Sequence, residues 1–141
     1  MEKEIWNESG KPGLVSSTKL FFKDLFVGAK RISRADFWWG YLGTTIFFAV
    51  LIALFVWTVT LMPISDYYWS AILGVAAAIS FGYYLIAIYN AGIRRLHDVN
   101  LSAWWMLLLL LPGVGYLVLL VLCSLEQRVE GNRHDMVLNE A

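Results

Sequence analysis

Three long runs of apolar residues, separated by short polar segments, dominate the chain, and none of them contains Lys, Arg, Asp or Glu. An α-helix needs about 20 mostly apolar residues to cross the roughly 30 Å hydrocarbon layer of a bilayer. The pattern therefore predicts an all-α membrane protein, a small bundle of three transmembrane helices. Their predicted positions are about 34–62, 68–93 and 102–125.

Local signals set the bounds of the first predicted span. Ser33 is followed three residues later by Asp36, just before the first apolar run. This spacing is the capping-box signature of a helix N-terminus, so we expect the helix to begin beside Ser33. Pro63 cannot continue the helix and is expected to end it.

The third apolar run contains Pro112, Gly113 and Gly115 near its middle, and two geometries follow from this interruption. The run can form one Pro-kinked span, which its total length favours. It can instead form a re-entrant hairpin, because each half is only about eleven residues long. The hairpin keeps Arg128 and Arg133 on the cytoplasmic side, whereas the single span places the C-terminus outside.

The segments outside the apolar runs carry most of the charge. Residues 1–17 are polar and interrupted by glycine and proline, which predicts a flexible N-terminal tail. Apolar residues recur at helical spacing over 18–32 with lysines among them, which favours an amphipathic helix lying in the membrane interface. The alternative is a helix docked on the protein's own cytosolic loops. The helical membrane domain then covers 18–125, and 126–141 form a C-terminal tail.

Composition supports a membrane protein of one domain. The chain of 141 residues has 59% hydrophobic and only 16% charged residues, whereas soluble domains have about a quarter charged. Seven Lys or Arg residues precede the first span and none lies in the turn at 63–69. The positive-inside rule therefore places the N-terminus and Arg94 in the cytoplasm. The lone Cys123 lies in an apolar run and is expected to act as a small buried hydrophobe.

The second predicted span carries small residues at strict four-residue intervals. Such a stripe lets another helix backbone approach closely, and we expect it to be a helix-packing face. The stripe consists of Ser70, Gly74, Ala78 and Gly82.

Arginine and tryptophan residues recur at the predicted cytosolic ends of the helices. Guanidinium groups bind phosphate oxygens in a bidentate manner, and basic pockets between membrane helices suit anionic lipid headgroups. The predicted lipid-binding and anion-binding residues are Arg31, Arg34, Arg94, Arg95, His97, Trp38, Trp39, Trp104 and Trp105. The alternative is structural: the arginines hold the topology while Asp36, Asp98 and Asn90 satisfy them within the bundle.

Few residues have the spacing that catalysis requires. If the second helix continues through Asp98, Arg94 and Asp98 form an i,i+4 ion pair, while His97 and Asp98 do not face each other. The sequence has no phosphate-binding loop, no nucleophile elbow and no second His or Cys near His97, so no cofactor and no metal site are expected.

Three classes of function remain. The first is a structural or interaction subunit, as a homo-oligomer or with another membrane protein, that contacts anionic lipids and binds no nucleic acid. The second is a small channel or transporter in which the break at Pro112 exposes backbone to a cavity. The third is a lipid-phosphate-modifying enzyme with His97 as general base. We favour the first class and expect no enzyme activity.

An ordered string of motifs resembles a known family of bacterial inner-membrane proteins. The motifs are Arg31-Ile32-Ser33-Arg34, Phe37-Trp38-Trp39, Arg94-Arg95-Leu96-His97-Asp98, Ser102-Ala103-Trp104-Trp105, Pro112 with Gly115, and Gly131-Asn132-Arg133. They are similar to those of domain of unknown function 805, the YhaH/YhaI-like proteins. The resemblance implies a small helical multi-pass protein of the bacterial inner (cytoplasmic) membrane and supplies no reaction. Ala29 and His134 depart from the family pattern.

Overall fold

The computed structural model describes residues 6–7, 9–61, 67–128 and 130–136. Helices dominate it, and one pair of short strands joins the N-terminal segment to the residues before the first long helix. In chain order the elements are β1 (Trp6–Asn7), α1 (Leu14–Lys23), β2 (Arg31–Ile32), α2 (Arg34–Leu61), α3 (Tyr67–Asp98), a 3-10 helix (Ala103–Leu110), α4 (Val114–Ser124) and α5 (Arg133–Met136). The predicted stop at Pro63 lies outside the described residues.

Helices α2 and α3 pack against each other, and both are long and apolar enough to cross a bilayer. Helix α2 begins at Arg34, as the capping signature predicts. The Ser33 hydroxyl accepts the Asp36 backbone N–H at 3.2 Å and donates to the Asp36 carboxylate at 3.1 Å. This side-chain cap replaces one of the hydrogen bonds that the first helical turn cannot make.

Helix α3 ends at Asp98, five residues beyond the predicted bound at 93, and so includes the whole charged cluster. Its end has the bonds of a Schellman motif: Leu101 N–H donates to the Leu96 carbonyl at 2.8 Å, and Asn100 N–H donates to the His97 carbonyl at 3.0 Å. Asn100 has φ +62°, a left-handed conformation that asparagine adopts more readily than most residues. The cap therefore fixes the direction in which the chain leaves α3.

The third apolar run forms a helical hairpin, so the favoured prediction of one kinked helix was wrong. The 3-10 helix leads away from the end of α3, the chain turns at Pro112 and Gly113, and α4 returns. Gly113 has φ +81°, which glycine adopts without strain. A Cβ atom on Gly115 would overlap the carbonyl group of Leu108, so only glycine lets the two legs approach this closely.

The first helix differs from its predicted bounds. It begins at Leu14, inside the predicted tail, and ends at Lys23 rather than at residue 32. It packs along α2, where Phe21 is fully buried against Phe37 and a Cβ on Gly43 would meet the Thr18 side chain. Helix α1 therefore packs on α2, and Gly40 and Gly43 of α2 make this close contact possible.

Candidate functional site

A buried carboxylate, that of Asp98, lies between two buried arginines. Arg31 Nη2 is 3.1 Å from Asp98 Oδ1, and Arg95 Nη1 bonds to Asp98 Oδ2. The side chains of all three residues are 0% exposed. Two guanidinium groups therefore bind the same carboxylate, and each needs further acceptors for its remaining N–H groups.

Backbone carbonyls of the returning leg supply these acceptors. Arg95 Nε donates to the Cys123 carbonyl at 2.9 Å, and Arg95 Nη2 donates to the Leu125 carbonyl. Arg31 Nη2 donates to the Arg128 carbonyl at 2.9 Å. The carbonyls at a helix C-terminus lack partners within the helix and carry partial negative charge. Arg95 therefore caps α4 and anchors the hairpin to α3, while Arg31 of β2 binds the segment that follows α4.

Asn132 completes this anchor from the C-terminal side. Its amide donates to the carbonyls of His97 at 2.9 Å, Asp98 at 3.2 Å and Arg128 at 3.1 Å, and it is only 3% exposed. Arg128 N–H also donates to the Asp98 carbonyl at 3.0 Å. Sequence reasoning noticed Asn132 only within a family motif and assigned it no role, because two of its three partners, His97 and Asp98, are more than 30 residues away along the chain.

Arg94 points away from this cluster, so the predicted ion pair with Asp98 was wrong. Its guanidinium is 4.0 Å from Asp24 and lies over the Phe21 ring, 5.8 Å from the centroid. Lys30 shares the same carboxylate at 3.2 Å. Asp24 was missed in the sequence, where nothing local links it to Arg94. Within the described part of the chain, the Arg94 nitrogens make no hydrogen bond.

Two of the three residues expected to satisfy the arginines have other partners. Asp36 accepts hydrogen bonds from the hydroxyls of Ser9 and Ser17, both at 2.6 Å, besides that of Ser33. Asn90 donates to the Leu25 carbonyl at 2.7 Å. Asp98 does bind arginines, as the structural alternative predicts, and Asp36 instead ties the N-terminal segment to the start of α2.

His97 is half-buried, and its ring stacks on His134 with the centroids 3.9 Å apart. Its Nδ1 atom has no hydrogen-bond partner among the residues that the structure describes. His134 Nε2 lies 3.1 Å from the Leu101 carbonyl. The stacked pair packs the C-terminal segment against the end of α3. No group of three His, Cys, Asp or Glu residues within the described ranges is placed to hold a metal ion.

The predicted lipid-binding residues separate into buried and exposed sets. Arg31, Arg94 and Arg95 are buried, whereas Arg34 is exposed. Trp39 is 46% exposed and Trp104 is 74% exposed; Trp105 is also exposed, and Trp38 is half-buried beside Phe37 and Tyr41. A buried guanidinium paired with carboxylate and carbonyl oxygens cannot contact an external headgroup. Of the four arginines, only Arg34 is placed to do so.

Comparison with known proteins agrees with the motif string. A family model described as "Protein of unknown function (DUF805)" matches residues 25–136. Two proteins called "Inner membrane protein YhaH", from Escherichia coli strain K12 and from Escherichia coli O157:H7, are each 57% identical over 28 residues. That segment is 20% of this chain and spans only 23% of each relative. No solved structure gives a significant match. Since the family model covers most of the chain, including Arg31, Arg95, Asp98 and Asn132, the chain belongs to the DUF805 family of proteins of unknown function.

Proposed function

We propose that this chain is a small multi-pass protein of the bacterial inner membrane that acts as a structural or interaction subunit. Its family membership, the inner-membrane name of the two relatives, and the length and apolar character of α2 and α3 support this location. The excess of Lys and Arg before α2 supports a cytoplasmic N-terminus.

The observation that carries the subunit role is the uncovered small-residue stripe of α3, formed by Ser70, Gly74, Ala78 and Gly82. A Cβ atom added at Gly74 or Gly82 would meet nothing within 4 Å, so no part of the described chain covers these positions. Only 6% of the most apolar window of α3 is buried within the chain. Small residues at four-residue spacing let a second helix pack closely in a bilayer. The stripe is therefore suited to a helix of a second copy or of another membrane protein.

The hairpin favours a topology of two spans and one re-entrant segment. The 3-10 helix starts beside the end of α3, and α4 ends beside Arg95 of the same helix. Both ends of the hairpin then lie at one membrane surface, together with β2 and the start of α2. Arg34 and the exposed tryptophans at this surface are suited to contact anionic lipid headgroups.

The subunit role is tested by native mass spectrometry of the full chain released in a gentle detergent. We expect a stoichiometric oligomer or a co-purifying membrane protein, and we expect Gly74→Leu and Gly82→Leu to abolish it. Both changes raise helix propensity, so α3 should remain folded. Ile79→Phe enlarges an exposed side chain on another face of α3 and serves as the control. A wild-type chain that is monomeric and without partner under these conditions would refute the subunit role.

The topology is tested by placing single cysteines at Ser9 and at Glu130 in a Cys123→Ser background. A membrane-impermeant maleimide applied to spheroplasts should label neither position until the membrane is opened. Labelling at Glu130 but not at Ser9 in intact spheroplasts would instead establish a third crossing.

A further inference from the structure

A cavity of about 690 Å³ lies between α2, α3 and the hairpin. This volume is within the range of about 300–1,000 Å³ that is typical of sites for small ligands. Its walls are almost entirely apolar and aromatic. They include Phe37, Tyr84, Ile88, Leu109, Leu119 and Leu120.

The polar groups that line the cavity already have protein partners. The hydroxyls of Tyr41 and Tyr116 are 2.7 Å apart, and Asn90 donates to the Leu25 carbonyl. The Tyr84 hydroxyl lies 3.3 Å from a threonine hydroxyl of α2. A buried water needs about two to four polar partners, which these satisfied groups do not supply. The cavity is therefore suited to hydrocarbon.

The cavity has an opening at the outer surface of the bundle. Several of its lining residues are substantially exposed: Leu85 is 51% exposed, Leu109 is 44% exposed and Tyr89 is 43% exposed. In a bilayer this opening faces the acyl chains of surrounding lipids. A lipid acyl chain can then enter the cavity sideways from the bilayer, without passing the ion pairs of Arg31, Arg95 and Asp98 at the end of α3.

A cation lies on the helical face that leads into the cavity. Arg34 is three residues before Phe37 and seven before Tyr41, so all three side chains share one face of α2. The rise from Arg34 to Tyr41 is roughly 10 Å at about 1.5 Å per residue. Arg34 is exposed, and no hydrogen bond or ion pair joins its side chain to the residues that the structure describes.

From this geometry we propose that the cavity holds one acyl chain of an anionic phospholipid whose phosphate is bound by Arg34. This site rests on the membrane location proposed above but not on the assembly through α3. The phospholipid satisfies both features at once: the hydrocarbon fills a dry cavity, and the phosphate pairs with the exposed guanidinium.

The test uses phosphatidylglycerol with a photoreactive diazirine in the middle of one acyl chain, added to the full chain in phosphatidylcholine nanodiscs. After irradiation, peptide mass spectrometry should locate saturable adducts on residues 84–92 and 106–123. Leu109→Trp/Leu120→Trp fills the cavity, whereas Leu110→Trp/Leu117→Trp adds the same bulk to exposed positions of the same two helices. We expect the first pair to lower the apparent affinity at least about tenfold, or about 1.4 kcal/mol, and the second pair to leave it unchanged.

Two further variants keep the test decisive. Leu85→Trp narrows the opening without altering the interior, so it should reduce labelling even if the first pair misfolds. Arg34→Gln should lower affinity for phosphatidylglycerol while preserving the positions of the remaining adducts. Adducts spread evenly over exposed residues, equal labelling in the two tryptophan pairs, or an unchanged Arg34→Gln variant would each overturn the proposal.

A competition experiment distinguishes a phospholipid from a free fatty acid as the ligand of the cavity. Unlabelled phosphatidylglycerol should displace the probe, whereas equally effective displacement by free oleate would refute a phospholipid site. The Gly74→Leu variant separates this site from the subunit role, because it should lose assembly and keep the labelling. If the wild-type chain assembles but shows no saturable labelling of the cavity residues, the cavity proposal alone has failed.

Discussion

Asp98→Asn is expected to destabilise the fold severely while preserving the size of the side chain. The substitution removes the carboxylate charge that pairs with both Arg31 and Arg95, and all three side chains are 0% exposed. Breaking a buried ion pair by removing one partner costs about 3–5 kcal/mol. The carbonyls of Arg128, Cys123 and Leu125 remain as acceptors, so we expect the low end, about 3 kcal/mol.

The matched control is Asp36→Asn. Asp36 is also buried, at 1% exposure, but it accepts hydrogen bonds from Ser9, Ser17 and Ser33. An asparagine oxygen can replace part of these bonds, so the cost should be about 1–2 kcal/mol. The two variants therefore compare a carboxylate paired with arginines against one held by hydroxyls.

The assay is reversible unfolding of the reconstituted chain in mixed micelles with increasing sodium dodecyl sulfate, followed by circular dichroism. A double-mutant cycle with Arg31→Met separates the charge effect from lost packing. Because Arg31→Met and Asp98→Asn each break the same Arg31–Asp98 ion pair, the double variant should be more stable than the sum of the two single losses predicts. Equal losses for Asp98→Asn and Asp36→Asn, or strict additivity in the cycle, would refute the account of a charge-balanced network.

Three further outcomes test the packing. Gly43→Ala should lower stability by about 1–3 kcal/mol, measured in the same micelle titration, because its Cβ would lie 2.9 Å from the Leu14 carbonyl oxygen. Gly115→Ala should separate the legs of the hairpin, since its Cβ would overlap the Leu108 carbonyl; increased proteolysis of the hairpin would show this, and unchanged proteolysis would contradict it. The Cys123 thiol, at 4% exposure, should react with maleimide only after unfolding, and rapid labelling of the native chain would contradict its burial.

Elements with local causes could be predicted from the sequence. The start of α2 follows from the Ser33 cap, whose bonds join residues three positions apart. The two long helices follow from uninterrupted apolar runs, and the motif string identifies the family. Each of these signals is contained in a short window, so a single sequence is sufficient to read it.

The hairpin could not be chosen from local signals. Pro112 and Gly113 permit both a kink and a reversal, and the total length of the run favoured the wrong one. What decides is the fit of Gly115 against the Leu108 carbonyl and the capping of α4 by Arg95. Both are contacts between parts of the chain whose meeting no periodicity reveals.

The same limit applies to the charges. At helical spacing Arg94 and Asp98 are natural partners, yet Asp98 pairs with Arg31 across 67 residues and Arg94 faces Asp24. The spacing of charged residues along a helix shows which ion pairs are possible. Which of them form depends on the elements against which each side chain is buried. Once α3 continues to Asp98, the side that bears Asp98 faces β2 and the returning leg, so its partners come from there.

The motif residues that identify the family are largely buried, and they differ from the residues that can contact lipid or a partner. Arg31, Arg95, Asp98 and Asn132 belong to the motif stretches, and all four are buried within bonds that fasten the hairpin to α3. A residue enclosed in this way stabilises the fold but cannot meet a lipid or a partner without unfolding it. Contacts with lipid or protein must therefore use groups that the network leaves exposed. Arg34 and Arg133 are the exposed motif arginines; Arg133 donates to the Asn100 carbonyl, whereas the Arg34 side chain has no hydrogen bond or ion pair with the described residues. For this reason Arg34→Gln should reduce lipid binding with little loss of stability. Asp98→Asn should instead lower stability, and it should leave lipid binding unchanged as long as the chain remains folded.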